Sequence, residues 1–189
     1  MPLLGLGVYK LPDDVQAEAA VISAISAGYR MIDTASVYKN EESVGRAVAR
    51  CGVPRKDLFI TSKIWNTAQR LGDVQGAFSR SLDRLKLSYV DLCLIHWPVP
   101  GCYLSTWKEL EKILESGRAL SIGVSNFDIR HLEELRKISG IIPAVNQIEC
   151  HPLCYPSELI EYCKAFGIQV QAYAPLARGA YFDNDVMCV

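Results

Sequence analysis

Short apolar runs rich in β-branched residues alternate along the chain with longer stretches whose apolar residues recur at helical spacing. One run and one stretch together repeat about every thirty residues, the length of a strand–helix–strand unit. This alternation is typical of a parallel sheet with crossover helices. It predicts six strands, at residues 31–35, 59–64, 90–96, 121–125, 144–149 and 169–174.

The predicted helices carry start and stop signals. Asp73 and Asp128 stand before apolar residues at helical spacing and are predicted N-caps, and Ser157 precedes a third such stretch. Two earlier helices are predicted at about residues 14–27 and 41–51. Glycines that suit the left-handed end of a helix follow the helical stretches at positions 28, 52, 117 and 167.

Each predicted strand places a polar residue at or just beyond its carboxyl end. These residues are Asp33, Lys63, His96, Ser125 with Asn126, Gln147 and Tyr173. Polar groups that converge from several strands on one rim favour a barrel, whereas an open dinucleotide-binding sheet concentrates its chemistry after one glycine-rich turn. Gly5 and Gly7 do not make that turn, because Lys10 stands where a third glycine is needed and no strand is predicted before them.

The sequence therefore predicts an α/β fold, a TIM-type (β/α)8 barrel that is incomplete, with about six of its eight βα units present. Residues 1–179 form this partial barrel, and residues 180–189 are an unassigned C-terminal tail. An open arc of strands has two unpaired edges, which predicts possible self-association of the chain.

Charge and cysteine usage narrow the partners. Twenty basic and 21 acidic residues give a net charge of −1, so neither nucleic acid nor an anionic membrane is predicted to bind. The start of the chain lacks the features of a secretory signal, and no apolar run approaches membrane-spanning length. Seven scattered cysteines indicate reduced thiols and a cytoplasmic location. Cys150 and Cys154 lack a second ligand pair, so no metal site is predicted.

Four rim residues together suit carbonyl reduction. A tyrosine such as Tyr38 is a weak acid unless a cation stabilises its phenolate, and Lys63 would supply that cation while Asp33 holds the lysine. His96 would donate a hydrogen bond to a substrate carbonyl. This set fits hydride delivery from a nicotinamide while Tyr38 protonates the alkoxide. Each residue alone has a structural explanation, but four on one rim favour catalysis.

Aromatic residues are predicted near the same rim. Tyr9, Trp65 and Trp97 follow strand or loop ends there and would wall an apolar substrate pocket beside His96. Pro98 ends the strand after Trp97 and favours an indole that points to the mouth. Packing in the core is an equally good explanation for each tryptophan by itself.

Five ordered segments resemble the signatures of the aldo-keto reductases. The segments span residues 28–45, 62–65, 94–98, 122–127 and 146–152, and the resemblance extends from residue 2 to about residue 179. It is nearest to short-loop members such as the microbial diketogluconate reductases and protozoal prostaglandin F synthases.

The resemblance implies NADPH-dependent reduction of aldehydes or ketones, with NADH less favoured, and the catalytic set Asp33, Tyr38, Lys63 and His96. It implies that Ser125, Asn126 and Gln147 hold the nicotinamide carboxamide and that Tyr173 stacks on the ring. The remaining cofactor-binding residues that it implies are Val8, Asp33, Pro175 and Leu176.

The last residues, 181–189, resemble no family segment. Since the segment that holds the 2′-phosphate of NADP follows the seventh strand of the family's barrel, we expect the chain to bind NADPH weakly or not at all. Two interpretations stay open: a carbonyl reductase, or a catalytically inactive fragment or interaction protein derived from one.

Overall fold

A computed structural model describes residues 1–180 of the chain. Its sheet contains seven parallel strands in sequence order, each hydrogen-bonded to the next. The strands are β1 (Gly5–Gly7), β2 (Met31–Asp33), β3 (Phe59–Ile64), β4 (Leu92–Ile95), β5 (Ile122–Ser125), β6 (Val145–Glu149) and β7 (Gln169–Tyr173). This is the order of an incomplete TIM-type α/β barrel.

Helices connect the strands on the outer face of the sheet. They are α1 (Val15–Ser26), α2 (Glu41–Arg50), α3 (Asn66–Leu71), α4 (Val74–Leu85), α5 (Tyr103–Glu115), α6 (Ile129–Ile138) and α7 (Ser157–Ala165). Short 3-10 turns span Ser36–Tyr38, Arg55–Asp57 and Ala177–Gly179. Within the described residues, no helix combines the length and apolar character that a membrane crossing requires.

The sequence predicted six strands, and the structure has a seventh. Gly5, Leu6 and Gly7 form β1, which pairs with β2. The prediction missed β1 because three residues with two glycines lack the β-branched pattern of a strand. All but the first residue of the predicted tail lies outside the described residues.

Helix boundaries follow the predicted signals in part. Asp128 forms a capping box with His131, and Asp14 accepts hydrogen bonds from the backbone of Gln16 and Ala17. Asp73 precedes α4 but makes no cap hydrogen bond, because its carboxylate pairs with Arg80. Ser157 is the first residue of α7, not its cap.

The sheet separates two cores because side chains alternate between its faces. The larger core lies between strands and helices and includes Trp107, Phe78 and Ile60. A small apolar cluster forms inside the barrel, from Leu92, Leu94, Val145 and the partly buried Phe59. Its small size leaves the upper interior to polar side chains.

Hydrogen bonds across the interior establish that the sheet is rolled. Gln147 on β6 donates to Asp33 on β2 at 2.8 Å, and Gln171 on β7 donates to the Met31 sulfur on β2 at 3.4 Å. These strands are four and five positions apart in the sheet, so only a nearly closed barrel brings them into contact. The rim residues therefore face one another.

Helices α2 and α4 pack closely at Gly45. A Cβ atom built there would lie 2.3 Å from the Leu85 carbonyl oxygen, whereas one built on the exposed Gly140 meets no atom within 4 Å. We expect Gly45→Ala to lower the free energy of unfolding by about 2 kcal/mol, because the backbone of α4 must move. Gly140→Ala, the matched control, should change it by less than about 0.5 kcal/mol in urea denaturation. Equal effects of the two substitutions would contradict this packing.

Candidate active site

The polar residues predicted at the strand ends do meet at one rim. Asp33, Ser125 and Tyr173 are the last residues of β2, β5 and β7, and Lys63 is the penultimate residue of β3. His96 directly follows β4. In a parallel barrel all carboxyl ends open on the same side, where active sites of this fold lie.

Lys63 is the most enclosed charge of the site, with a side chain that has no exposed surface. Its ammonium forms an ion pair with Asp33 Oδ1. It also donates to the Thr34 carbonyl oxygen at 3.1 Å and to the Tyr38 hydroxyl oxygen at 3.3 Å. A lysine has three N–H donors, so each of them has an acceptor, as a buried charge requires.

Tyr38 ends the 3-10 turn that follows β2 and is half-buried. Burial raises the pKa of its phenol above the ordinary value of 10.0, and the Lys63 ammonium opposes that rise in part. The sequence predicted that the lysine would stabilise the phenolate. The lysine does so, but burial outweighs it, and Tyr38 is therefore protonated at neutral pH.

His96 is neutral at the rim. Burial, with a smaller contribution from the Lys63 charge, lowers the pKa of His96 to about 3. Its ring lies edge-on to Trp65 and Tyr38, at centroid distances of 5.0 and 5.6 Å. Nδ1 is enclosed without a hydrogen-bond partner among the described residues. Since a buried N–H without an acceptor is costly, the favoured tautomer carries its proton on Nε2.

The hydroxyl and amide groups predicted to bind a carboxamide are linked to one another. Ser125 Oγ donates to the Gln147 carbonyl oxygen at 2.9 Å. Asn126 adopts a left-handed φ of 62°, and its amide donates to the His96 carbonyl oxygen at 3.0 Å. Tyr173 OH donates to Asn126 Oδ1 at 2.9 Å. These contacts fix a compact polar surface beside His96.

The aromatic residues differ in their placement. Tyr9 lies against Tyr38 with ring centroids 5.0 Å apart, and Trp65 lies against His96, so both border the predicted catalytic residues. Trp97 is 43% exposed, and its carbonyl oxygen accepts a hydrogen bond from Gln69. These positions are compatible with the predicted substrate wall, which stays a prediction.

Three predicted cofactor-binding residues have apolar side chains, and one of them, Val8, donates its backbone N–H to the Asp33 carbonyl oxygen at 3.0 Å. The Val8 side chain is fully buried in the larger core. Pro175 and Leu176 are exposed in the segment after β7. Their roles remain predictions.

Sequence reasoning missed two residues of the site. Asn40 is fully buried and donates to the carbonyl oxygens of Val8 and Leu11, while accepting from Thr34 Oγ1 at 2.8 Å. It thereby fixes the loop that carries Tyr9. Gln171 joins the interior network two residues before Tyr173, a spacing that places both on the same face of β7. This two-residue spacing is the sequence signal from which Gln171 could have been predicted.

The predicted absence of a metal site rests on the sequence alone. Across residues 1–180, no group of three or more His, Cys, Asp or Glu side chains has a ligating arrangement. His151 Nε2 lies 3.4 Å from Glu149 Oε1, and six cysteines in this part of the chain are free thiols.

A rolled parallel barrel with a Lys–Asp pair, a tyrosine and a neutral histidine on one rim defines a class of carbonyl-acting oxidoreductase. The profile of the Aldo/keto reductase family matches residues 3–186. The chain belongs to this family, whose members are oxidoreductases that use a nicotinamide cofactor.

Individual relatives agree with this assignment. Glyoxal reductase of Bacillus subtilis (strain 168) is 50% identical over 187 residues, covering 99% of this chain and 68% of the relative. The 9,11-endoperoxide prostaglandin H2 reductase of Trypanosoma cruzi (strain CL Brener) is 47% identical over 179 residues, covering 95% of this chain and 63% of the relative. The chain thus spans about two thirds of these proteins.

Among solved structures, an aldo-keto reductase of Bombyx mori in complex with NADP superposes with a TM-score of 0.86. It is 39% identical, and the match covers 92% of this chain and 62% of the other.

The low pKa of His96 makes stability depend on pH. The folded value of about 3 lies below the ordinary value of 6.5, so on acidification the unfolded chain takes up this proton first. The stabilisation from neutral His96 is complete above about pH 6.5 and is lost progressively as the pH falls toward about 3. Between about pH 7 and about pH 5, the wild-type free energy of unfolding should fall by about 2 kcal/mol more than that of His96→Gln. Urea denaturation at both pH values measures this, and equal decreases would exclude a neutral buried His96.

Proposed function

We propose that the protein reduces aldehydes or ketones to alcohols with NADPH, and that Tyr38 is the proton donor. This proposal rests on the acceptors that the three N–H groups of the Lys63 ammonium find. One of them points at the Tyr38 oxygen from 3.3 Å, so the phenolic hydrogen must point elsewhere. No acceptor for it is found among residues 1–180, which leaves Tyr38 O–H available to a substrate oxygen.

The charges around Tyr38 suit this role. Reduction of a carbonyl carbon places negative charge on the carbonyl oxygen, and the protonated Tyr38 can transfer its proton there. The phenolate that remains lies beside the Lys63 ammonium, which is paired with Asp33. The acid is thus protonated before transfer and stabilised after it.

His96 would direct the carbonyl. A neutral imidazole with its proton on Nε2 can donate one hydrogen bond without adding a charge to the pocket. The rings of Trp65 and Tyr38 hold the imidazole in orientation from two sides. A carbonyl oxygen that accepts from both His96 and Tyr38 would be fixed in direction and polarised.

The chemistry of the rim donors fits a nicotinamide carboxamide. That group needs acceptors for its nitrogen and hydrogen-bond donors for its oxygen. Gln147 Oε1, which makes no hydrogen bond among the described residues, can accept from the nitrogen. The Ser125 hydroxyl and the Asn126 amide donate to backbone carbonyl oxygens, and the Asn126 amide also donates to Ser125 Oγ, so they would donate to the carboxamide oxygen by exchanging one of these hydrogen bonds. Tyr173 would lie against the ring, which supplies the hydride when bound. The Bombyx mori relative was solved in complex with NADP, which supports NADP(H) as the cofactor to test first.

The substrate pocket would be apolar on the side of Tyr9, Trp65 and Trp97, which suits uncharged carbonyl compounds. Small dicarbonyls such as glyoxal are the first to test, since the relative named for glyoxal reduction is 50% identical. Reaction in the cytoplasm is a proposal that rests on the thiol content of the chain.

Self-association is a separate proposal that rests on the strand edges. Strands β1 and β7 do not pair with each other in the described part of the chain. Each leaves one row of backbone groups without a strand partner, which favours contact with a second chain. Sedimentation of the purified protein would measure its oligomeric state, and a monomer at all concentrations would contradict the proposal.

The role of Tyr38 is tested by removal of its hydroxyl. We expect Tyr38→Phe to lower the rate of NADPH oxidation with a small aldehyde about 10²- to 10⁴-fold, because the proton donor is lost. NADPH binding, followed by cofactor fluorescence, should persist. Tyr89→Phe is the matched control, because Tyr89 precedes β4, at the end of that strand opposite to His96, and phenylalanine keeps its contact with Arg55 at 4.1 Å.

Two results would contradict the proposal. Undiminished turnover in Tyr38→Phe would remove Tyr38 from the chemistry. A folded wild-type chain that neither binds NADPH nor reduces any carbonyl tested would favour the non-catalytic alternative.

A further inference from the structure

A side-chain network crosses the barrel interior behind the catalytic groups. Gln171 on β7 accepts a hydrogen bond through Oε1 from Gln147 Nε2 at 3.0 Å. The same Gln147 nitrogen donates to Asp33 Oδ2 at 2.8 Å, and Asp33 Oδ1 pairs with Lys63. A continuous hydrogen-bonded path therefore joins β7 to the lysine that contacts Tyr38.

The path uses both hydrogens of the Gln147 amide nitrogen. One goes to a carboxylate on β2 and the other to an amide oxygen on β7, on two sides of the side chain. Two acceptors in different directions fix both the plane of the Gln147 amide and the positions of its nitrogen and oxygen. With Asp33 as its single acceptor, the amide could rotate about that hydrogen bond. The Gln147 Oε1 atom makes no hydrogen bond among the described residues, so it is the part of the amide left for a ligand.

Gln171 is itself held at both ends. Its Nε2 donates to the Met31 sulfur at 3.4 Å, so the side chain spans from β7 to β2 with its oxygen toward Gln147. Met31 and Asp33 lie on the same face of β2, two residues apart. The side chain is partly buried, which limits competition from water.

We propose that Gln171 is a positioning residue: it holds the Gln147 amide so that the nitrogen stays on Asp33 and the oxygen faces the ligand. This inference rests on the proposed function for the identity of the ligand, a nicotinamide carboxamide, but the fixed orientation of Gln147 is a property of the chain itself. Gln171 does not touch the reacting atoms in this scheme.

The test compares three substitutions on one strand. Gln171→Leu removes the acceptor, and Gln171→Glu keeps a carboxyl oxygen that accepts in either protonation state. Gln169→Leu is the matched control, because Gln169 is the same residue type on β7, is exposed, and its side-chain amide donates, among the described residues, only to the adjacent Val170 carbonyl oxygen.

The first measurement needs no ligand. Exchange of the Gln147 side-chain amide hydrogens, followed by NMR and assigned with Gln147→Ala, should be at least about tenfold faster in Gln171→Leu, since one of two hydrogen bonds is lost. Gln171→Glu and Gln169→Leu should retain the wild-type rate. Unchanged exchange in Gln171→Leu would overturn the proposal.

The second measurement uses NADPH and a double-mutant cycle. Gln171→Leu should weaken NADPH binding about threefold to tenfold, the loss expected for one misplaced hydrogen bond. In a Gln147→Ala background the same substitution should have no further effect, because Gln171 acts through Gln147. Additive losses would mean a general structural role and would overturn the positioning role.

Different results would contradict the proposed function and the positioning role of Gln171. If the wild-type chain does not bind NADPH but Gln171→Leu accelerates Gln147 exchange, the proposed function fails and the positioning of Gln147 stands. If NADPH binds and Gln171→Leu leaves both exchange and affinity unchanged, the positioning role fails and the proposed function stands.

Discussion

The geometry of the rim depends on one buried ammonium group. Lys63 has no exposed surface, and a charge in that environment is tolerated only when every donor finds an acceptor. All three acceptors come from the end of β2 and the turn that follows it: Asp33, the Thr34 carbonyl and Tyr38. The requirement to satisfy the lysine therefore holds the turn against β3, and this places the phenol.

The two faces of the sheet contribute differently to the stability of the fold. Apolar residues that face the helices form the larger core and bind the helices to the sheet. The inward face has only a small apolar cluster, and above it the space is filled by side chains that satisfy one another. A stable outer core allows the interior to remain polar, which a reaction involving charge requires.

The sequence could predict the strand ends because their periodicity and their polar residues are local signals. Asp33, Lys63 and His96 were placed correctly on one rim by this reasoning. Strand β1 was missed because it is short and glycine-rich, so its strand character arises from pairing with β2. The net pKa shift of Tyr38 was not accessible, because burial by the folded surroundings decides it.

Contacts across the barrel could not be predicted from the sequence either. Gln171 and Met31 are 140 residues apart, and no local pattern indicates their contact. Gln171 and Tyr173 are two residues apart on β7, and this spacing indicates only that they share one face of the strand. The partner of each is decided by how far the sheet rolls, a property of the whole fold.

The small apolar cluster inside the barrel affects how protons exchange between solvent and Tyr38. Leu92 and Leu94 lie in register with Thr61 and Lys63, and with Val145 and Phe59 they close the barrel beside and below the lysine. The enclosed ion pair therefore has apolar neighbours on that side and polar groups on the rim side. A molecule seated on the rim would cover the polar side of the ion pair, so the tyrosine would regain a lost proton from solvent there only after that molecule leaves.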